Sequence, residues 1–165
     1  MAQKYSFDIV SEVDFQEIAN ALNQATKEIT QRYDLKDSKT TIELSKTDKT
    51  ILINSKDDYG IKSSLDILQS KFIKRNISLK VMKPKEIEPA ANGRVKLLIN
   101  LQSGISKENA KMITKMIKEM KLKVNSQIMD EQLRVQGAKK DELQTVMTNL
   151  KGAELDFPVQ FTNYK

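Results

Sequence analysis

Lys107, Lys111, Lys115 and Lys118 recur at helical spacing, and Lys121 and Lys123 extend the run. On a helix they form one cationic stripe, opposed only by Glu108 and Glu119. Such a stripe attracts phosphates, with an affinity that falls as salt rises. A solvated outer helix face is the structural alternative. A second group alternates along strand-like segments: Lys96, Asn100, Asn125, Gln127, Arg134, Gln136, Gln160 and Thr162. Strand periodicity puts these residues on one side of a sheet, opposite Leu97, Ile99, Leu133 and Val135. Amides read base edges, and arginine pairs with phosphate or guanine. A solvated or covered sheet face is the alternative here. A third cluster, Lys71, Lys74 and Arg75, ends a helical segment, where cations complement the helix dipole or hold an anion.

Other chemistries are excluded by residue type. The chain has no His and no Cys, so a Ser-His-Asp triad, a Cys–His pair and a Cys/His zinc site are all impossible. No glycine-rich phosphate loop is present. Asp57-Asp58 falls where a helix cap is expected rather than a metal pair. Acid–base work would rest on Asp, Glu, Lys or Tyr, and no carboxylate pair stands out. The chain therefore reads as a binding protein, with no catalytic residues, metal or cofactor.

Charge narrows the partner. The 165 residues include 28 basic and 22 acidic groups, a net charge of +6. Residues 1–89 are nearly balanced, at +1, and residues 90–165 carry +5. A polyanionic partner is expected on the second half. No apolar run reaches the ~20 residues of a membrane helix. The opening residues lack the apolar stretch of a secretory signal. A cytoplasmic protein is the expectation.

The elements that must position these residues repeat. Residues 5–10 alternate as a strand, and Asp14 with Glu17 resembles a capping box before a helix over 15–33. Thr40–Leu44 and Thr50–Asn54 read as a hairpin. Asp57 and Asp58 open a second helix, and Ile77–Met82 reads as a strand. Lys83–Arg94, with two prolines and a glycine, reads as a linker ending at 89–94. The order then recurs: a strand at 95–101, a helix from Ser106, and a hairpin at 123–137. A helix over 139–151 and a strand at 157–161 complete it. The expected fold is α+β, with two ferredoxin-like βαββαβ repeats, 1–88 and 95–165. Each should make a four-stranded antiparallel sheet with two helices on one face. The central strands of the second repeat carry no aromatic on their polar side, which argues against stacking of the RNA-recognition-motif kind.

These residues also carry a family resemblance. The stretch Ser6-Phe7-Asp8-Ile9-Val10-Ser11-Glu12-Val13-Asp14 is similar to the start of the bacterial YajQ family. Arg32-Tyr33-Asp34, Lys74-Arg75-Asn76-Ile77 and Leu101-Gln102-Ser103-Gly104-Ile105 resemble it too. So do Lys115-Met116-Ile117-Lys118 through Lys121-Leu122-Lys123-Val124, Leu133-Arg134-Val135-Gln136-Gly137-Ala138-Lys139, and Pro158-Val159-Gln160-Phe161. The departures are the linker and Asn76, where the family usually has glycine. The resemblance implies two ferredoxin-like domains that exchange their N-terminal strands, 5–10 and 95–101. It implies a nucleotide-binding protein, in some members a cyclic di-GMP effector tied to a transcriptional regulator, with RNA or tRNA association as an alternative. A protein-interaction adaptor is a further alternative. On that reading Arg134, Lys96 or a helix lysine meets phosphates. Asn125, Gln127 and Gln136 read base edges. Asp8 accepts from guanine.

Overall fold

The structure, a computed structural model, describes residues 5–165. It divides into two compact units, Val13–Gln102 and, separately, the segment up to Glu12 together with Ser103–Lys165.

In the Val13–Gln102 unit, α1 (Phe15–Gln31) is followed by the hairpin β2 (Thr41–Ser45) and β3 (Thr50–Ser55), then α2 (Asp58–Lys74). Asp14 caps α1 by accepting from the Gln16 and Glu17 amides, and Asp57 caps α2 by accepting from Gly60. Each thereby satisfies an otherwise orphaned helix donor. The Asp57-Asp58 pair is thus a helix start. Short strands β4 (Met82–Pro84) and β5 (Glu88–Pro89) precede β6 (Val95–Leu101). The sheet order is β2-β3-β6-β4, all antiparallel, with β5 also on β6. Alternate residues Ile51, Ile53, Leu97 and Ile99 bury against Ile18, Leu22, Leu68 and Phe72 of the two helices.

Two details differ from the sequence expectations, and one open alternative is resolved. The strand expected over 77–82 shrinks to Met82–Pro84, because Ser78 accepts from the Lys80 amide and turns Leu79–Val81 into a 3-10 turn. The linker is structured. Lys85 donates its amide to Leu98, Glu88 pairs with Lys96, and Pro89 pairs with Val95. The segment runs along β6 and returns through Asn92 and Gly93, both at positive φ. Prolines are tolerated there because the outer side of an edge strand needs no donor. Arg94 locks the turn, with Nε 2.7 Å from Asn54 and Nη2 2.8 Å from the Lys39 carbonyl. Finally, the cluster at the end of α2 is structural. Lys71 pairs with Glu28 at 2.8 Å and Arg75 with Glu17 at 3.0 Å, tying α2 to α1.

Asn76, beyond α2, has φ 59°. Asparagine tolerates this left-handed cap, and glycine adopts it freely. Asn76→Ala is expected to lower stability by about 1 kcal/mol, whereas Asn76→Gly retains it. Chemical denaturation of the two variants checks this.

The other unit joins β1 (Tyr5–Val10) to α3 (Lys107–Glu119), β7 (Val124–Met129), β8 (Gln132–Gly137), α4 (Lys140–Gly152) and β9 (Gln160–Thr162). Its sheet order is β7-β8-β1-β9, so β1 is a central strand. Phe7, Ile9, Leu133 and Val135 bury against Ile113 and Ile117 of α3 and Leu143, Val146 and Leu150 of α4. Ser106 caps α3 by accepting from Asn109 at 3.1 Å.

Candidate functional site

Register builds a polar surface on the side of this sheet away from the helices. Gln127 lies opposite Arg134, Arg134 opposite Asp8, and Asp8 opposite Thr162. The next row is Asn125, Gln136 and Ser6. The alternation that sends Phe7, Ile9, Leu133 and Val135 into the core turns these side chains outward.

At its centre is a fixed ion pair. Arg134 donates Nε to Asp8 Oδ1 at 2.9 Å and Nη2 to Oδ2 at 3.3 Å. Gln132 Nε2 and Asn163 Nδ2 donate to the same Oδ2, at 3.4 and 3.0 Å. The Asp8 side chain is 6% exposed and that of Arg134 is 31% exposed. Asp8 thus spends its acceptor capacity on four protein donors. Three of the four are on Oδ2, and the Arg134 Nε bond is on Oδ1, so the carboxylate holds the guanidinium along one edge. The guanidinium keeps its Nη1 edge without a protein acceptor among the described residues. An arginine held along one edge by carboxylate presents the other to an anion in a fixed orientation.

The arginine hydrogen bond holds the Asp8 carboxyl below its ordinary value, against the opposing pull of burial, and Asn163 lowers it further. The same pairing raises Arg134 and keeps it charged. Because the folded-state pKa is depressed, the pair's stabilisation is present above the ordinary carboxylate range and is lost as pH falls through the folded value. Asp8→Asn is expected to flatten the acid limb of stability against pH. Asp8→Ala is expected to cost about 1–3 kcal/mol at neutral pH. That is less than for a fully buried pair, because Arg134 can rehydrate. Denaturation at several pH values reads both effects.

Of the sequence-predicted residues, Asn125, Gln127, Arg134, Gln136 and Asp8 share this face. Lys96 and Asn100 do not. Their strand, β6, pairs with β3, placing Lys96 opposite Asn54 and Asn100 opposite Thr50 in the other unit's sheet. Gln160 is turned to local use, since its Oε1 accepts the Glu12 amide at 2.8 Å. Reasoning from sequence missed Gln132 and Asn163. Gln132 read as part of the hairpin turn, and Asn163 lies just past the last strand at φ 56°. A short polar residue following an alternating strand was the available signal.

The lysine stripe forms as expected on α3. Lys107, Lys111, Lys115 and Lys118 are exposed, opposite buried Ala110, Ile113 and Ile117. Lys121 and Lys123 follow, also exposed, and none of the six makes an ion pair among the described residues. Because α3 packs on the core side of the sheet, the stripe and the Arg134 face look in opposite directions. The two candidate sites therefore lie on separate surfaces of this unit. Among the described residues, no group of three or more acidic side chains is placed to hold a metal ion, and no helix is long and apolar enough to cross a membrane.

Sequence comparison matches residues 5–165 to the family described as nucleotide-binding protein YajQ-like. The chain belongs to this family. A protein of Chloroherpeton thalassium named "Nucleotide-binding protein" is 49% identical over 165 residues, the whole of both chains. One of Carboxydothermus hydrogenoformans with the same name is 52% identical, again over the full length of both. One of Citrifermentans bemidjiense is 54% identical over 160 residues, 97% of this chain and 98% of its own. YajQ family membership agrees with the two four-helix-in-all, antiparallel ferredoxin-like layers seen here.

Proposed function

We propose that this chain is a non-enzymatic nucleotide-binding protein whose ligand is a guanine nucleotide, cyclic di-GMP, acting as a regulatory effector. The observation that carries this reading is the Asp8-held Arg134 at the centre of an amide-rich sheet face. The free guanidinium edge meets a phosphodiester oxygen or the guanine O6/N7 edge. Gln127, Asn125 and Gln136 supply donors and acceptors around it. Names of the full-length relatives support the nucleotide class. The test is titration of cyclic di-GMP into wild type, Arg134→Ala and Gln127→Ala. Weakened binding in both supports the site; wild-type affinity in both removes it.

A second reading rests on the exposed lysine stripe, which offers RNA or tRNA a row of phosphate contacts. Changing Lys111, Lys115 and Lys118 together to Gln is expected to reduce the log–log salt slope of single-stranded RNA binding by about 2, at ~0.7 per lost contact. Filter binding across a salt series measures it, and an unchanged slope excludes the stripe.

A further inference from the structure

Strand β7 is an outer strand of the β7-β8-β1-β9 sheet. Other edge strands here carry features that discourage further pairing. β9 and β4 are three residues long, β4 ends in Pro84, and β2 has Glu43 at its middle. β7 has six residues, Val124-Asn125-Ser126-Gln127-Ile128-Met129, with no charge and no proline. The two-residue turn Asp130-Glu131 makes Met129 and Gln132 a mutually hydrogen-bonded pair. Such pairs alternate along an antiparallel ladder. Gln127 and Asn125 therefore bond to β8, while Val124, Ser126 and Ile128 turn their N–H and C=O groups outward. Among the described residues, no backbone group meets them.

Helix α3 walls this edge. A cavity of about 340 Å³ lies between the two, lined by Thr114, Ile117 and Lys118 of α3, by Leu122, and by Val124 and Ser126 of β7. Its lining is partly apolar: Ile117 is buried, and Leu122 and Val124 pack half-buried against the core. Ile128, on the same side of the strand, is 48% exposed. Helical spacing continues the Thr114 and Lys118 side of α3 to Lys107 and Lys111. Lys121 and Lys123 lie between α3 and β7. None of these lysines makes an ion pair among the described residues. The Glu142 carboxylate already accepts the Lys123 amide at 2.7 Å. The far end of β7 is acidic, at Asp130 and Glu131. The groove therefore runs from positive to negative along one strand.

We propose that this groove takes an extended acidic segment of a partner protein as a fifth strand, antiparallel to β7. Main-chain hydrogen bonds to Val124, Ser126 and Ile128 supply affinity, and side chains at alternate positions supply specificity. A residue opposite Val124 or Ser126 shares its side of the sheet, so an apolar side chain there enters the cavity against Ile117 and Leu122. Antiparallel addition brings the segment's C-terminal residues to Lys118, Lys121 and Lys123, where Asp or Glu is favoured. Acidic residues at the other end would meet Asp130 and Glu131. A second copy of this chain is a poorer occupant. Antiparallel pairing of two β7 strands sets the Lys107, Lys111 and Lys118 sides of two α3 helices face to face, and like charges repel. The proposal shares lysines with the RNA reading but differs from it in requiring the strand edge.

The probe is the end-capped peptide Thr-Val-Thr-Val-Thr-Glu-Glu, titrated into the full chain at low salt and followed by amide hydrogen exchange. Saturable binding is expected, with slowed exchange at the Val124, Ser126 and Ile128 amides. Asn125 and Gln127, already bonded to β8, are expected to change little. A comparator ending in Lys-Lys is expected to bind roughly tenfold more weakly. Ser126→Pro removes an outward donor and spares the β8 ladder. It is expected to weaken peptide binding roughly fivefold and to leave the salt slope of single-stranded RNA binding unchanged. If that variant does not melt as wild type does, the exchange pattern of the wild-type chain decides. No peptide binding, or equal binding of the Lys-Lys comparator, overturns the proposal. Binding without slowed exchange at the three amides also overturns it and leaves the lysines as a polyanion surface. Slowed exchange in concentrated protein without peptide overturns it in favour of a second copy.

Discussion

Residues 13–102 expressed alone are expected to melt cooperatively, whereas residues 1–89 alone are not. The first fragment keeps its hydrophobic core whole, from Ile18 on α1 to Leu101 on β6. It also retains every strand of the β2-β3-β6-β4 sheet. The second fragment looks more natural from the sequence repeat, yet it lacks β6, an interior strand of that sheet. With β6 go the buried side chains of Leu97, Ile99 and Leu101. At about 1.5–3 kcal/mol for each buried aliphatic side chain, their loss removes roughly 5–9 kcal/mol. A domain's whole stability is about 5–15 kcal/mol. Fragment 1–89 also leaves β1 without β8 and β9, so Phe7 and Ile9 lose their cover. Circular dichroism melts of the two fragments decide the matter. A sharp transition from 1–89 contradicts the account of which segments form a unit.

Arg134→Ala is expected to weaken cyclic di-GMP binding on the order of 10- to 100-fold, for a charge-assisted contact worth about 1.5–3 kcal/mol. On the proposed reading, Asp8 is expected to act by orienting Arg134. Asp8→Ala frees the guanidinium to reorient and is expected to weaken binding several-fold. Asp8→Asn keeps an acceptor for Arg134 Nε and is expected to fall between that variant and wild type. A purely structural role for Asp8 would lower stability equally in Asp8→Ala while leaving the affinity of the folded fraction unchanged. Isothermal titration at fixed pH, with melts alongside, separates the two.

Much of this architecture is legible in the sequence for physical reasons. Helical spacing of Ile18, Leu22, Ala25 and Ile29, and of Ala110, Ile113 and Ile117, marks amphipathic helices. Asp14, Asp57 and Ser106 mark their starts. Alternation in Leu133-Arg134-Val135-Gln136 correctly assigns each side chain to core or surface. Strand partnership is different. β1 and β6 each begin a similar pattern, and period-2 alternation says which face a residue takes but not which sheet it joins. Pattern alone therefore groups Lys96 with Arg134, although its strand pairs with β3. The linker misled for a related reason. Pro84, Pro89 and Gly93 signal a break, but an edge segment can carry prolines and still pair on its other side. The bond from Arg134 to Asp8 crosses 126 positions in sequence, and no local signal announces it. The supporting amides of Gln132 and Asn163 were hidden similarly.

The central claim is that the sheet face around Arg134 receives a cyclic guanine dinucleotide. Calorimetric titration of the full chain with cyclic di-GMP at near-physiological salt tests it most directly, with GTP and a short single-stranded RNA as comparators. The account predicts saturable binding of cyclic di-GMP in preference to both comparators. Absence of cyclic di-GMP binding, with salt-sensitive RNA binding in its place, would contradict the account and make the α3 lysines the functional surface.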